Sequence, residues 1–125
     1  MKKYFFSKFS PTSYVKLQQA YFSESNVYGG WTLIGYTAPG TDGKTTNFTF
    51  TPAAGLAANG TTSAATQGAW QAANNVKLND CGPAVHWQVN LEKVDDSQEG
   101  YEAVMAADTD GACQSLTPTF TNIGK

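Results

Sequence analysis

Val85-His86-Trp87-Gln88-Val89-Asn90-Leu91, answered after a polar gap by Tyr101-Glu102-Ala103-Val104-Met105-Ala106-Ala107, is the pair of segments on which the fold turns. In the first, Val85, Trp87, Val89 and Leu91 alternate with His86, Gln88 and Asn90; in the second, Tyr101, Ala103, Met105 and Ala107 alternate with Glu102, Val104 and Ala106. A period of two marks a strand with one oily side, and two such runs around a short polar stretch predict a β-hairpin. With a turn centred near Ser97, Leu91 faces Ala103, Val89 faces Met105 and Trp87 faces Ala107, so both apolar sets share one side of the ribbon. The same centre sets Cys81 opposite Cys113. That predicts a disulfide across the open end of the hairpin, which contributes about 3 to 4 kcal/mol by restricting the unfolded chain. A bond there favours the periplasm or the cell exterior over the cytosol. His86, on the polar side, is expected to be exposed rather than to act as a general base.

Upstream, Thr45-Thr46-Asn47-Phe48-Thr49-Phe50-Thr51 alternates phenylalanine with polar residues and predicts another strand. Further strands are expected at Ala69-Trp70-Gln71-Ala72-Ala73 and at Val76-Lys77-Leu78, while residues 52–68, rich in Ala, Gly, Thr and Asn, read as a long surface loop. Trp31-Thr32-Leu33-Ile34-Gly35-Tyr36 is too apolar to be exposed, and Ala38 to Lys44 is dense in turn formers. At the other end, Ser10-Pro11 is a helix start, because a proline at the first helical position loses only an N–H that would be unpaired anyway. The helix is expected to run to about Ser23, with Tyr14, Leu17 and Tyr21 on its apolar face and Lys16, Gln18 and Gln19 left for water. Together these elements predict a single α+β domain over 1–125. An N-terminal helix (about 10–23) packs on an antiparallel sheet (45–113) that ends in the disulfide-closed hairpin, and 114–125 form an irregular tail. Tyr4, Phe5, Phe6 and Phe9, ahead of Pro11, are expected to form a docking surface for assembly.

Composition narrows the functions. A length of 125 residues suffices for one hydrophobic core. Charged residues make up only 14% and the net charge is −2, which offers no basic footprint, so nucleic acid is not an expected partner. No run reaches the roughly 18 apolar residues that span a bilayer. A single histidine, two cysteines better spent on each other, and no nucleophile elbow, phosphate loop or dinucleotide motif predict that the chain is not an enzyme and needs no cofactor. Asp108-Thr109-Asp110-Gly111 opens like a calcium loop, which makes Asp108 and Asp110 weak calcium candidates, with Asp80, Asp95 and Asp96 as neighbours to consider. The closing glutamate of such a loop is missing, so a plain turn is the preferred reading. Trp31 and Trp70 are candidate ligand aromatics for a sugar platform, with burial in the core as the commoner fate of such residues, while the alternation around Trp87 assigns it to the core.

A helix, a connecting loop, an antiparallel sheet and a disulfide-closed end resemble the head domain of a type IV pilin or pseudopilin over residues 12–125. The residues that carry the likeness are Tyr14-Val15-Lys16-Leu17-Gln18-Gln19-Ala20-Tyr21-Phe22, Trp31-Thr32-Leu33-Ile34-Gly35-Tyr36-Thr37-Ala38-Pro39-Gly40 and Cys113-Gln114-Ser115-Leu116-Thr117-Pro118. The leader and long apolar helix of that family are absent from the sequence. The resemblance implies a structural subunit of an extracellular pilus, a fimbrial filament of the sort used in cell adhesion, as a truncated or split head domain exported through the periplasm. Its implied partners are other pilin subunits or a short helical pilin partner meeting Tyr4, Phe5, Phe6 and Phe9, with membrane contact only through a helix outside this chain. The alternatives are a type II secretion pseudopilin and, from another class, a secreted carbohydrate-binding module.

Overall fold

The hairpin forms with its oily sides together, two residues away from the expected register. The computed structural model of the chain describes residues 11–108 and 111–123. Strand β5 (Val85–Leu91) pairs with β6 (Tyr101–Met105) so that Leu91 faces Tyr101, Val89 faces Ala103 and Trp87 faces Met105. A shift of two leaves every side chain on its expected face, which is why the pattern survives the error. The cause is local. Asp96 and Ser97 both take positive φ (53° and 60°) between the bridged pair Asp95 and Gln98, a two-residue turn whose twist suits a hairpin. The outgoing arm then carries one more residue than the return arm, because Val94 leaves the ladder to donate its N–H to Ser63 O at 2.9 Å.

Strands β2 (Phe48–Pro52) and β4 (Thr66–Asn74) extend this hairpin into a four-stranded antiparallel sheet of order β2-β4-β5-β6. Its buried face carries Phe48, Phe50, Trp70, Ala72, Trp87, Val89, Leu91, Tyr101 and Ala103. Ring contacts lock the layer: Phe48 meets Trp87 edge to face at 5.8 Å between ring centroids, and Trp70 lies tilted 6.3 Å from Phe120. Residues 76–78, expected as a strand, are instead the approach to a tight turn from Leu78 to Cys81, exposed at Val76 and Lys77 and half-buried at Leu78, in which Asn79 takes positive φ. Residues 52–68 are more than a surface loop. They include β3 (Thr61–Thr62), which pairs with β1 (Tyr28–Gly29), and Leu56 is only 3% exposed. The tail is ordered too, as 3-10 turns at Gln114–Leu116 and Phe120–Asn122 that bury Leu116, Thr117 and Phe120. Thr117 Oγ1 accepts the Trp87 indole N–H at 2.9 Å.

Helix α1 (Pro11–Ser25) starts at the expected proline and stops where Asn26, at φ 61°, donates its N–H to Phe22 O. Its buried face is Tyr14, Val15, Gln18 and Phe22, whereas Leu17 and Tyr21 are only half-buried. Gln18, expected in water, is fully buried, and its amide reads both backbone groups of Gly29. Gly29 N–H donates to Oε1 at 2.7 Å, and Nε2 donates to Gly29 O and to Tyr14 Oη at 3.0 Å each. The helix backbone therefore comes closest to β1 and to the single turn α2 (Trp31–Ile34), rather than to the strands of the four-stranded sheet. This corrects the expected α+β arrangement. The protein is built mainly of two antiparallel sheets, with one helix set against the smaller of them.

Candidate functional site

Three local features build a cleft beside α2. Gly35, at φ 81°, ends the turn, so Tyr36 N–H reaches back to Trp31 O at 2.8 Å and the two rings meet edge to face at 4.8 Å. Asp42 and Gly43 take φ 55° and 77° between Thr41 and Lys44, which exchange two backbone hydrogen bonds of 3.0 Å, and Phe50 N–H pins this turn to β2 through Gly43 O at 2.7 Å. Gly40 lets the strands of the excursion close, since a Cβ there would stand 1.9 Å from Lys44 O. Between these parts lies a cleft of about 500 Å³, lined among others by Trp31, Thr32, Tyr36, Thr37, Asp42 and Phe50.

The cleft has an apolar wall and a polar rim. Trp31 is 8% exposed, with its indole N–H donated to Ala69 O at 3.0 Å, which holds the ring at a fixed angle. Burial pushes the Tyr36 hydroxyl up to about 12, against the opposing effect of the Trp70 indole N–H it accepts at 2.8 Å, so it stays a neutral phenol over the ordinary pH range. The hydroxyls of Thr32 and Thr37 and the carboxylate of Asp42 stand on exposed residues at the rim. A hydroxyl-rich ligand with an apolar face fits this combination.

The other sequence-predicted residues lie elsewhere. Trp70 is fully buried between the tilted rings of Phe50 and Phe120, so of the two candidate ligand aromatics only Trp31 reaches the cleft. Cys81 and Cys113 are bonded, but not across a continued ladder: Cys81 closes its own turn and Cys113 opens the 3-10 segment. His86 is 4% exposed, not on an open face. Its Nδ1 lies 2.9 Å from Ala106 O and its Nε2 lies 2.6 Å from Gly82 O, so the ring ties the disulfide turn to the end of β6. Among the described residues, Cys81, His86 and Cys113 are the one group of three side chains with metal-ligand atoms close together, and both sulfurs are spent on each other. Asp108 accepts the N–H groups of Cys113 and Gln114 at 2.6 and 3.0 Å, the work of a helix cap. Its calcium partner Asp110, and the assembly candidates Tyr4, Phe5, Phe6 and Phe9, fall outside the described residues. Asp42 went unnoticed in the sequence because Asp-Gly reads there only as a turn.

A family model described as a C-terminal lipocalin-like domain, GH43_C, matches residues 11–125. No curated protein and no solved structure matches the chain. The match overturns the resemblance to type IV pilins and pseudopilins, and with it the reading as a pilus, fimbrial or adhesion subunit. A build dominated by antiparallel sheets agrees with the lipocalin-like description.

Proposed function

The chain belongs to the family of C-terminal lipocalin-like domains of glycoside hydrolase family 43, and on that premise we propose that it is a carbohydrate-binding module without catalytic activity of its own. The observation that carries the reading is the cleft, where Trp31, Tyr36 and Phe50 offer an apolar wall to a sugar ring and Thr32, Thr37 and Asp42 offer hydrogen bonds to its hydroxyls. Glycoside hydrolysis ordinarily needs two carboxyl groups flanking the scissile bond, and among the described residues the lining of this cleft has one. Holding saccharide near a hydrolase is the role that such chemistry serves. The Cys81–Cys113 bond suits an oxidising, extracellular setting. Saccharide, rather than nucleic acid, is the partner that a neutral polar surface of net charge −2 favours.

Titration calorimetry against a panel of soluble oligosaccharides tests the proposal. Ala57→Arg, at an exposed lining position, places a bulky side chain in the cleft without touching the core. Binding by the unaltered chain, weakened at least about tenfold by this variant at unchanged melting temperature, is the expected result. Absence of heat with every glycan, or binding indifferent to the arginine, removes the reading.

A further inference from the structure

We propose that Asp42 selects among saccharides, favouring neutral rings that present two adjacent hydroxyls and rejecting those that carry a carboxylate. The inference rests on the carbohydrate-binding reading above and names the specificity of the same cleft. Among the described residues, Asp42 is the one acidic or basic side chain in its lining; Lys44, which closes the same turn, does not contribute. A carboxylate accepts hydrogen bonds and donates none, so its two oxygens pair with two neighbouring O–H groups, and such bonds to a charged acceptor are stronger than those between neutral groups. A second carboxylate brought to the same place meets like charge and an acceptor where it needs a donor. Thr32 and Thr37 supply hydroxyls that serve as donor or acceptor, so they do not discriminate in this way.

The backbone that carries the carboxylate is also fixed. Asp42 sits on a turn closed by the Thr41 and Lys44 backbone pair and tied to β2 by Phe50 N–H, so the backbone of the turn loses little freedom when a ligand arrives. A different explanation exists for an aspartate here. A turn with positive φ at both central residues favours Asp-Gly for its backbone alone. Asparagine adopts that backbone as readily, so Asp42→Asn keeps the turn and removes only the charge.

The test measures binding of the full chain to neutral oligosaccharides and to their uronic-acid counterparts, for the unaltered protein, Asp42→Asn and Ala57→Arg. The expected pattern is neutral binding at least about tenfold tighter than uronate binding. In Asp42→Asn, neutral binding falls about tenfold and the gap between the two classes narrows, with no change in melting temperature. If the unaltered chain binds both classes equally, or Asp42→Asn leaves the preference intact while Ala57→Arg abolishes binding, the cleft binds sugar but Asp42 does not select it. If neither class binds, the carbohydrate-binding reading falls, and this inference with it.

Discussion

Replacing Gln18 by leucine should cost about 3 kcal/mol. The side chain is fully buried, and its amide pairs with both the N–H and the C=O of Gly29, in the manner of a neighbouring strand laid against β1. Leucine has a similar bulk, ends one atom shorter, and has none of the donors or acceptors. Gly29, itself buried, then keeps an unmet donor and an unmet acceptor, each costing about 1 to 3 kcal/mol, while the added apolar burial returns about 1 to 2 kcal/mol. With an unfolding entropy of about 2.1 cal/mol/K per residue over 125 residues, that net loss lowers the melting temperature by about 11 °C. Chemical denaturation and calorimetry read the stability, and amide exchange reads the Gly29 N–H directly. Gln18→Glu serves as the charge control. It supplies the missing donor only when protonated, so its folded-state pKa lies above the usual value for glutamate of about 4.3, and its stability deficit grows as pH rises through that region. Stability of Gln18→Leu within about 0.5 kcal/mol of the unaltered protein would refute the clamp, as would fast exchange of the Gly29 amide in the unaltered protein.

Two further outcomes follow from the cross-link and the buried phenols. Cys81→Ala combined with Cys113→Ala, which opens a link of sequence separation 32, should cost about 3 to 4 kcal/mol and raise the denaturant m-value as the unfolded chain expands; a loss under about 1 kcal/mol would show that the link does not act through the unfolded state. Burial raises Tyr14, Tyr28, Tyr36 and Tyr101 above the ordinary 10.0, so the folded chain holds protons that the unfolded chain gives up. Stability is therefore intact below pH 10 and falls above it, by about 1.4 kcal/mol per pH unit for Tyr36 until its folded value of about 12 is reached. Tyrosinate absorbance should rise together with loss of circular dichroism, and ionisation of these phenols in a chain that stays folded would contradict the burial.

The parts legible in the sequence are those governed by period and parity. Strand faces in β5 and β6 depend only on whether a shift is odd or even, so Trp87, Val89 and Leu91 point inward despite the two-residue error. The register itself hung on the extra residue before Asp95, which no hydrophobic pattern announces. The pairing of Cys81 with Cys113 was read correctly through a ladder that does not extend that far; proximity came instead from the turn at Cys81 and the 3-10 segment at Cys113. Strands β1 and β3 are two residues each, too short for a period to show, and their pairing is fixed by Gly30, where a Cβ would stand 2.4 Å from Ala58 O. His86 alternates as an outward residue should, and is buried by segments at Gly82 and Ala106 that its own strand says nothing about. At the cleft, Trp31 drew notice in the sequence as an aromatic in an apolar run, and it lines the cleft, whereas Asp42 was hidden behind the turn it occupies.

An order of helix, loop, sheet and disulfide is compatible with unrelated folds, so it cannot by itself say where the helix goes. The helix's own buried face carries the missing information. A helix that covers the side-chain face of a sheet buries apolar residues against apolar residues, and a glutamine in the middle of that stripe would lose its hydrogen bonds with water and gain none. Gln18 lies between Tyr14 and Phe22 on the buried stripe, so α1 must meet exposed backbone there, and the backbone it meets is Gly29 at the edge of a two-stranded ribbon. That docking holds β1 under the helix and sends the chain directly into α2. The turn α2 then presents Trp31 and Thr32 to the same side as the Asp42 turn. The polar residue that defeats a helix-on-sheet packing is thus part of what assembles the cleft, and a helix moved onto the sheet would leave neither the clamp nor the wall that Trp31 forms.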